Sequence, residues 1–417
     1  MNGAESLVRT LVACGVDVCF SNPGTSEMHF VAALDRVEGM RCVLGLFEGV
    51  VTGMADGYAR MAAKPASTLL HLGPGLGNGL ANLHNAKKAF TPVVNIVGEH
   101  ATHHVEHNAP LTADIEGIAS PVSGWVKTSR SAKGVAADGA EAVAASMAVP
   151  GQVATLILPA NTAWEESDGP AVPVAPHPRP RASAESIHAA VAALTSGEEC
   201  MIHISDTALM GEALEMAGRI MAKTGCRLTC KTSNRRWERG IDRVPVERIQ
   251  YPVDIALKQL ETVKHLILLG APIPVAFFAY PDKPSVLIPE SCNVVDVAPE
   301  GYDLLDALTA IAEELDADDI EPVRQKAEKP TLMKGKLTPE SIAAAIGHLM
   351  PKNAIIVDES ITSGRGLMSF TAGSEQHDWL SVTGGSIGIG MPLATGAAVA
   401  CPDRKVVCLE GDGSGMY

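Results

Sequence analysis

Apolar runs short enough to be strands alternate with helical stretches from the start of this chain, and that order restricts the fold more than any single residue does. Val16–Phe20, Arg41–Phe47, Ser67–Leu72, Val93–Val97 and Ala154–Leu158 read as buried strands. Helices accompany them: Glu5–Cys14 carries Leu7, Val8, Leu11 and Val12 on one face and ends at Gly15. A strand that is apolar on both faces must be covered on both faces. Repetition of this kind predicts an α/β fold, with parallel sheets doubly wound by helices.

At 417 residues the chain is too long for one ordinary core. Pro170, Pro173, Pro176, Pro178 and Pro180 break all periodicity and read as a stiff surface linker. The sequence therefore predicts domains at 1–165, 183–325 and 339–417, joined by linkers at 166–182 and 326–338. The second domain has strands near Cys200–Ile204, Leu266–Leu269 and Asn293–Val297. The third has a helix at Pro339–Met350, a strand at Ala354–Val357, a glycine-rich crossing and a last strand at Lys405–Leu409. One helix and two strands cannot bury a sheet on both faces, so this third domain is expected to be incomplete.

Composition excludes several partners. The net charge is 33 − 48 = −15, and an acidic surface repels phosphate backbones, so nucleic acid is not expected. No apolar run reaches the roughly 18–20 residues of a membrane span. The first residues, Met-Asn-Gly-Ala-Glu, lack the basic and apolar regions of a signal peptide. Nine cysteines scattered through apolar segments read as free thiols of a reducing cytoplasm, and Cys226-x3-Cys230 has no second pair to complete a zinc site.

The segment Gly45-Leu-Phe-Glu48-Gly-Val-Val-Thr-Gly-Met-Ala-Asp-Gly57-Tyr-Ala-Arg carries the sharpest chemical signal. Glu48 falls where a strand meets the first turn of a helix, a place the helix dipole favours for an acid by about 0.3–1 kcal/mol. The dipole does not explain its neighbours. Leu44, Leu46, Phe47, Val50 and Val51 are expected to surround the carboxylate, raise its pKa and let it hold or share a proton. Gly49, Gly53 and Gly57 recur every four residues on one helix face. Each costs about 1 kcal/mol relative to Ala in a helix interior, so close backbone packing is expected there.

Two loops converge on the same sheet edge, where open α/β sheets bind ligands. Asn22-Pro-Gly-Thr-Ser-Glu27 follows the first strand; alone it is a turn with a Ser/Thr cap. His71-Leu-Gly-Pro-Gly-Leu-Gly-Asn-Gly79 follows the third, and its glycines let a backbone approach a ligand closely. Its spacing is not G-x-G-x-x-G and no partner acid follows, which disfavours a nicotinamide-dependent oxidoreductase.

Together these segments resemble the thiamine diphosphate-dependent family that includes benzoylformate decarboxylase, pyruvate decarboxylase and acetolactate synthase. The resemblance runs over nearly the whole chain and is closest to the benzoylformate decarboxylase and acetolactate synthase branches. It implies pyrimidine-binding, central and diphosphate-binding domains, the last truncated. It implies that Glu48 protonates the aminopyrimidine ring of the cofactor, with the diphosphate site supplied by another subunit and the glycine-faced helix at the dimer contact. In Ser381-Val-Thr-Gly-Gly-Ser-Ile-Gly-Ile-Gly-Met-Pro-Leu-Ala-Thr-Gly396, Ile387 falls at the wedge that bends the cofactor and Gly385 at a backbone contact to the pyrimidine. Glu410-Gly-Asp-Gly-Ser414 resembles the opening of the diphosphate motif: Asp412 would bind Mg²⁺, and Gly411, Gly413 and Ser414 would face the diphosphate.

The family continues to an Asn that supplies a second metal ligand, beyond Tyr417. Thr25 falls where benzoylformate decarboxylase contacts the substrate carboxylate, and His71 on that enzyme's N-terminal relay histidine. The second relay histidine, expected near Pro274–Tyr280, is replaced by Pro-Val-Ala-Phe-Phe-Ala-Tyr. His103 and His104 lie near the place of the pyruvate decarboxylase pair. With His100 and His107 they would share a helix face able to bind zinc, but a strand before them and Pro110 after them favour a surface loop. Asp358-Glu359-Ser360, with Thr362 and Ser363, resembles the loop near the diphosphate and equally reads as a hydrogen-bonded turn. Acetolactate synthases also bind FAD centrally, and no signature here decides for or against it. The expectation is a cytoplasmic homodimer or homotetramer that decarboxylates a small 2-oxo acid, releasing an aldehyde or ligating a second carbonyl compound. The alternative is a non-catalytic relative that kept the fold as a binding or regulatory protein.

Overall fold

In a computed structural model describing all 417 residues, the alternating runs pair as parallel strands, and the chain forms two compact units. The first comprises Met1–His177 with Val382–Tyr417, the second Pro178–Ser381. Residues 382–417 pack in the first unit.

The first unit is built on β1 (Val18–Asn22), β2 (Arg41–Leu44), β3 (Ala66–Leu70), β4 (Val93–Glu99), β5 (Trp125–Thr128) and β6 (Val153–Pro159). They form one sheet in the order β2-β1-β3-β4-β6-β5, every pair parallel. Its helices are α1 (Gly3–Ala13), α2 (Met28–Arg36), α3 (Glu48–Ala62), α4 (Leu72–Lys88), α5 (Ile115–Ala119), α6 (Val135–Ser146) and α7 (Ala160–Trp164). Side chains alternate across a strand, so each strand feeds two cores. Leu69, Ile96 and Leu156 meet Leu7 and Leu11 of α1 and Phe30 of α2. Phe20, Leu70, Val97 and Ile157 meet Val51 and Met54 of α3 and Leu76 and Leu83 of α4. The Asn2 side chain starts α1 by accepting from the Glu5 amide at 2.9 Å, where a helix leaves amides without partners.

The second unit holds α8 (Ala184–Leu194), β7 (Cys200–Ile204), α9 (Gly211–Thr224), β8 (Arg227–Cys230), β9 (Trp237–Arg239), β10 (Glu247–Arg248), α10 (Val253–Leu260), β11 (His265–Leu269), β12 (Asn293–Ala298), α11 (Leu304–Glu314), α12 (Pro339–Leu349), β13 (Ala354–Glu359), α13 (Leu367–Phe370) and β14 (His377–Ser381). One sheet is parallel throughout, in the order β10-β8-β7-β11-β12. In another, β13 and β14 are parallel while β9 runs antiparallel to β14. This single antiparallel pairing departs from the all-parallel expectation. It seats the buried Arg239 guanidinium 4.6 Å from the Trp237 ring and 5.2 Å from that of Trp379.

The chain closes in the first unit with α14 (Gly390–Ala400) and β15 (Val406–Glu410). The expected glycine-rich crossing therefore contains a strand, β14, and a helix, α14. The expected loop His71–Gly79 is also helix: His71 caps α4, and Gly73, Gly75, Gly77 and Gly79 lie in its first turns. Here Gly73 and Gly79 serve close packing. A Cβ on Gly79 would sit 2.9 Å from Thr52 Cγ2, and one on Gly73 2.5 Å from Ala113 Cβ.

Candidate active site

The order β2-β1-β3 means the chain reverses direction across the sheet between β1 and β3, and the crevice at such a reversal is where open α/β sheets bind ligands. Thr25 follows β1, Glu48 follows β2 and His71 follows β3, so all three stand at that edge. Contacts draw them together. Asn22 Nδ2 donates to the Gly45 carbonyl at 2.7 Å, tying the first loop to the segment before Glu48. A Cβ on Gly24 would lie 2.4 Å from His71 Nδ1, so the Thr25 loop rests on the His71 ring. A Cβ on Gly75 would stand 3.3 Å from Glu48 Oε1 and 3.5 Å from His71 Cβ, so this glycine leaves room for both.

Glu48 opens α3 half-buried and accepts a hydrogen bond from Asn78 Nδ2 at 3.0 Å. The apolar shell expected around it is not closed by its neighbours. Val51 is buried, but Leu44 is 65% exposed, Leu46 89% and Phe47 42%. The chain turns after Leu44 and carries these side chains outward as an apolar rim beside the carboxylate.

Glu27 was not singled out in the sequence. It is 1% exposed at the end of the 3₁₀ turn Thr25–Glu27. Its Oε2 accepts from the Gly24 amide and pairs with His71 Nδ1, both at 2.7 Å. Burial raises its pKa, against the opposing effects of the Gly24 amide and His71. The signal available was slight: an acid three residues after a glycine turn, opposite a histidine one strand away.

The second group of residues lies in the C-terminal segment of the same unit. Gly385 adopts φ +75°, a region that favours glycine. Ile387 is 39% exposed, unusual for a branched apolar side chain in a loop tied down on both sides. The loop abuts the C-terminal turn: a Cβ on Gly388 would be 2.5 Å from Tyr417 Cβ and 3.6 Å from the Ser414 carbonyl. Gly411 is half-buried, and in the turn after it Asp412 is exposed, the Gly413 amide donates to Asp412 Oδ1 at 2.9 Å, and Ser414 is buried at the start of a 3₁₀ turn.

The glycine face of α3 is filled by α14 of the same chain. A Cβ on Gly57 would be 2.0 Å from the Leu393 carbonyl oxygen, and one on Gly396 1.9 Å from that of Met54. Close backbone packing was expected, and α14 supplies it here.

The residues present fit part of a thiamine diphosphate site. A half-buried acid, an exposed apolar wedge and a left-handed glycine suit the pyrimidine side. For a divalent cation the chain offers Asp412, and no set of three His, Cys, Asp or Glu side chains is grouped as a metal centre anywhere in it. His100, His104 and His107 stack edge to face at 5.3 and 5.6 Å between centroids, around the 3₁₀ turn Val105–His107. His103 and His104 are exposed there. After β13, the Ser360 amide and hydroxyl both donate to Asp358 Oδ1 in a closed turn. No helix is long and apolar enough to cross a membrane.

The N-terminal thiamine pyrophosphate-binding domain of the thiamine pyrophosphate enzymes matches residues 1–118, and the C-terminal one matches residues 364–417. A Mycobacterium tuberculosis protein named as acetolactate synthase large subunit IlvX is 52% identical over 417 residues, 100% of this chain and 80% of that protein. Benzoylformate decarboxylase of Pseudomonas aeruginosa is 27% identical over 439 residues, covering 97% of this chain and 79% of that enzyme. Among solved structures, the thiamine diphosphate-dependent 4-hydroxybenzoylformate decarboxylase of Rhodococcus jostii superposes with a TM-score of 0.85 at 22% identity, over 100% of this chain and 82% of that one. The fold, the two matched domains and the extent of identity make this chain a member of the thiamine pyrophosphate-dependent enzyme family that includes acetolactate synthases and benzoylformate decarboxylases.

Proposed function

We propose that the chain carries out thiamine diphosphate- and Mg²⁺-dependent decarboxylation of a 2-oxo acid, with the product released as an aldehyde or joined to a second carbonyl compound. The observation that carries this reading is the gathering of Glu48, His71 and Thr25 around the first turn of α4. Bound thiamine diphosphate supplies a nucleophilic carbon and an electron sink. Glu48 holds and moves a proton at the pyrimidine ring, steadied by the Asn78 amide. His71 hands a proton to or from the reacting substrate, its ring fixed by Glu27 through Nδ1. Thr25, exposed on the loop that rests on His71, offers a hydroxyl to the substrate carboxylate. Ile387 would serve as the wedge against which the cofactor bends, and Gly385 would offer backbone contact to its pyrimidine. Asp412 would hold the metal, with Gly411, Gly413 and Ser414 lining the diphosphate. The apolar rim of Leu44, Leu46 and Phe47 favours closure by a second copy of the chain, so the working form is a homo-oligomer.

The test is to supply the full chain with Mg²⁺ and thiamine diphosphate and to screen 2-oxo acids for CO₂ and acyloin. Glu48→Gln is expected to lower turnover by about 10²–10⁴-fold, the usual worth of a positioned proton-transfer group. An unchanged rate refutes the role of Glu48. Absence of both turnover and any cofactor-dependent thermal shift sinks the enzyme reading. A cofactor-dependent shift without turnover is the outcome for a binding or regulatory relative.

A further inference from the structure

The connection from β11 to β12 spans residues 270–292 and folds back on itself. Val275 and Val286 form an antiparallel bridge. There the Ala276 amide donates to the Ser285 carbonyl at 2.8 Å, and the Leu287 amide to the Pro274 carbonyl at 3.0 Å. Leu287 is buried in one cluster with Val253, Ala256 and Leu260 of α10, which anchors one arm. The Lys283 ammonium pairs with Asp254 at the start of α10 and ties down the tip. A loop pinned at these points holds its side chains in place.

What it presents is aromatic. In a chain with seven Phe and five Tyr, two of each gather here. The Tyr251 ring, just before α10, lies 5.4 Å from that of Phe277, and Phe277 lies 4.9 Å from Phe278, edge to face. Burial first, then a hydrogen bond to Tyr280, raise the Tyr251 hydroxyl above its ordinary 10, against the charge of nearby Arg365. The rings are nevertheless open to water: Phe277 is 51% exposed and Phe278 57%. Apolar side chains scattered singly over a surface need no explanation, whereas a contiguous group does. Tilted and edge-to-face contacts leave ring faces able to receive another ring.

A guanidinium stands beside these rings. Arg365, in the loop after β13, is exposed and enters no ion pair, although the net charge of the chain is −15. Its planar fork of donors matches the two oxygens of a carboxylate. Rings and fork together complement a molecule that is aromatic at one end and anionic at the other.

We propose that Tyr251, Phe277, Phe278 and Tyr280, with Arg365, form a binding face for an aromatic carboxylate, the rings receiving its ring and the guanidinium its carboxylate. All five residues belong to the second unit, so the face is complete within one copy of the chain. The inference rests on the decarboxylase reading only for the origin of the acid, which is either the 2-oxo acid substrate or a free aromatic acid acting as an effector.

The test uses the full chain and three probes: benzoylformate, pyruvate, which lacks the ring, and acetophenone, which lacks the carboxylate. Without cofactor, titration calorimetry is expected to show benzoylformate binding at least about tenfold more tightly than either of the others. Phe277→Ala with Phe278→Ala is expected to abolish the preference over pyruvate, and Arg365→Gln the preference over acetophenone. Equal affinity for the three probes, or affinities that neither change alters, overturns the proposal. Loss of self-association in the double variant at unchanged benzoylformate affinity also overturns it, and assigns the patch to a second copy. Should the double variant fail to fold, Phe278→Ser alone carries the comparison with pyruvate. Addition of Mg²⁺ and thiamine diphosphate then separates the two origins. A rise of about tenfold in KM for benzoylformate in the double variant marks the acid as substrate. Pyruvate turnover that benzoylformate alters through these residues, without being consumed, marks it as an effector. If benzoylformate binds through these residues and no 2-oxo acid turns over, the binding face stands and the decarboxylase reading falls.

Discussion

A fully buried carboxylate needs a partner for each oxygen, and Glu27 has partners for one. Oε2 holds the Gly24 amide and His71, while Oε1 is buried without a hydrogen bond, in a space that exists because residue 98 is glycine. A Cβ there would be 1.5 Å from Oε1. Burial raises the Glu27 pKa from its ordinary 4.5. The folded chain therefore holds this proton more tightly than the unfolded chain, and from about pH 4.5 up to the folded pKa its stability falls as pH rises. Glu27→Gln carries no such proton. Its stability relative to the unaltered chain should improve between about pH 4 and pH 7, as read from urea midpoints at both values. A difference that is constant or reversed across that range would show that Gly24 and His71, not burial, govern the group. Glu27 does not announce itself in the sequence, because it draws its meaning from partners on other elements. Glu48 was legible, since its place between a strand and a glycine-spaced helix is a local pattern.

At the scale of elements, the junction of α3 with α14 is the part of the fold with least tolerance. Helix propensity alone favours replacing an interior glycine by alanine, by about 1 kcal/mol. At Gly57 the added carbon would meet the Leu393 carbonyl at 2.0 Å, and overpacking of this kind typically costs about 1–3 kcal/mol. At Gly77 of α4 nothing lies within 4 Å, so propensity acts unopposed. Gly57→Ala is thus expected to destabilise and Gly77→Ala to stabilise, in a single series of thermal or urea unfolding measurements. Equal effects would mean that α14 is not pressed against α3 in solution. The glycine spacing of α3 pointed to such a contact, but its partner could not be read from it. That the crossing before residue 405 holds β14 and α14 was also missed. His377 and Asp378 make β14 look polar, and both are buried by pairing with β9 and β13.

Across the whole molecule, acid should unfold this chain through two histidines outside the candidate site. Burial, then the Lys231 charge, pushes His203 down to about 3. Burial, then the Arg239 charge, pushes His377 down to about 4. In the unfolded chain both titrate near 6.5. Their contribution is fully present above about pH 6.5 and is lost as pH falls toward 4, where unfolding takes up two extra protons. The slope from these two is about 2.7 kcal/mol per pH unit at most. His203→Gln should flatten the fall in unfolding free energy between about pH 7 and pH 5 by roughly half, and a parallel fall would refute the assignment.

Local physics decided much of this protein in advance. Hydrophobic runs, proline breaks and strand-end turns follow from the near-neighbour geometry of the chain, so the α/β class, most strands and the edge that gathers Thr25, Glu48 and His71 could be read in order. Contacts between residues far apart in sequence were decided only by the tertiary structure. These include the Glu27–His71 pair, the seat of α14 on α3 and the antiparallel β9. Each depends on burial that removes water as a competing partner, and which groups lose water together is settled only when the sheets and helices close over them.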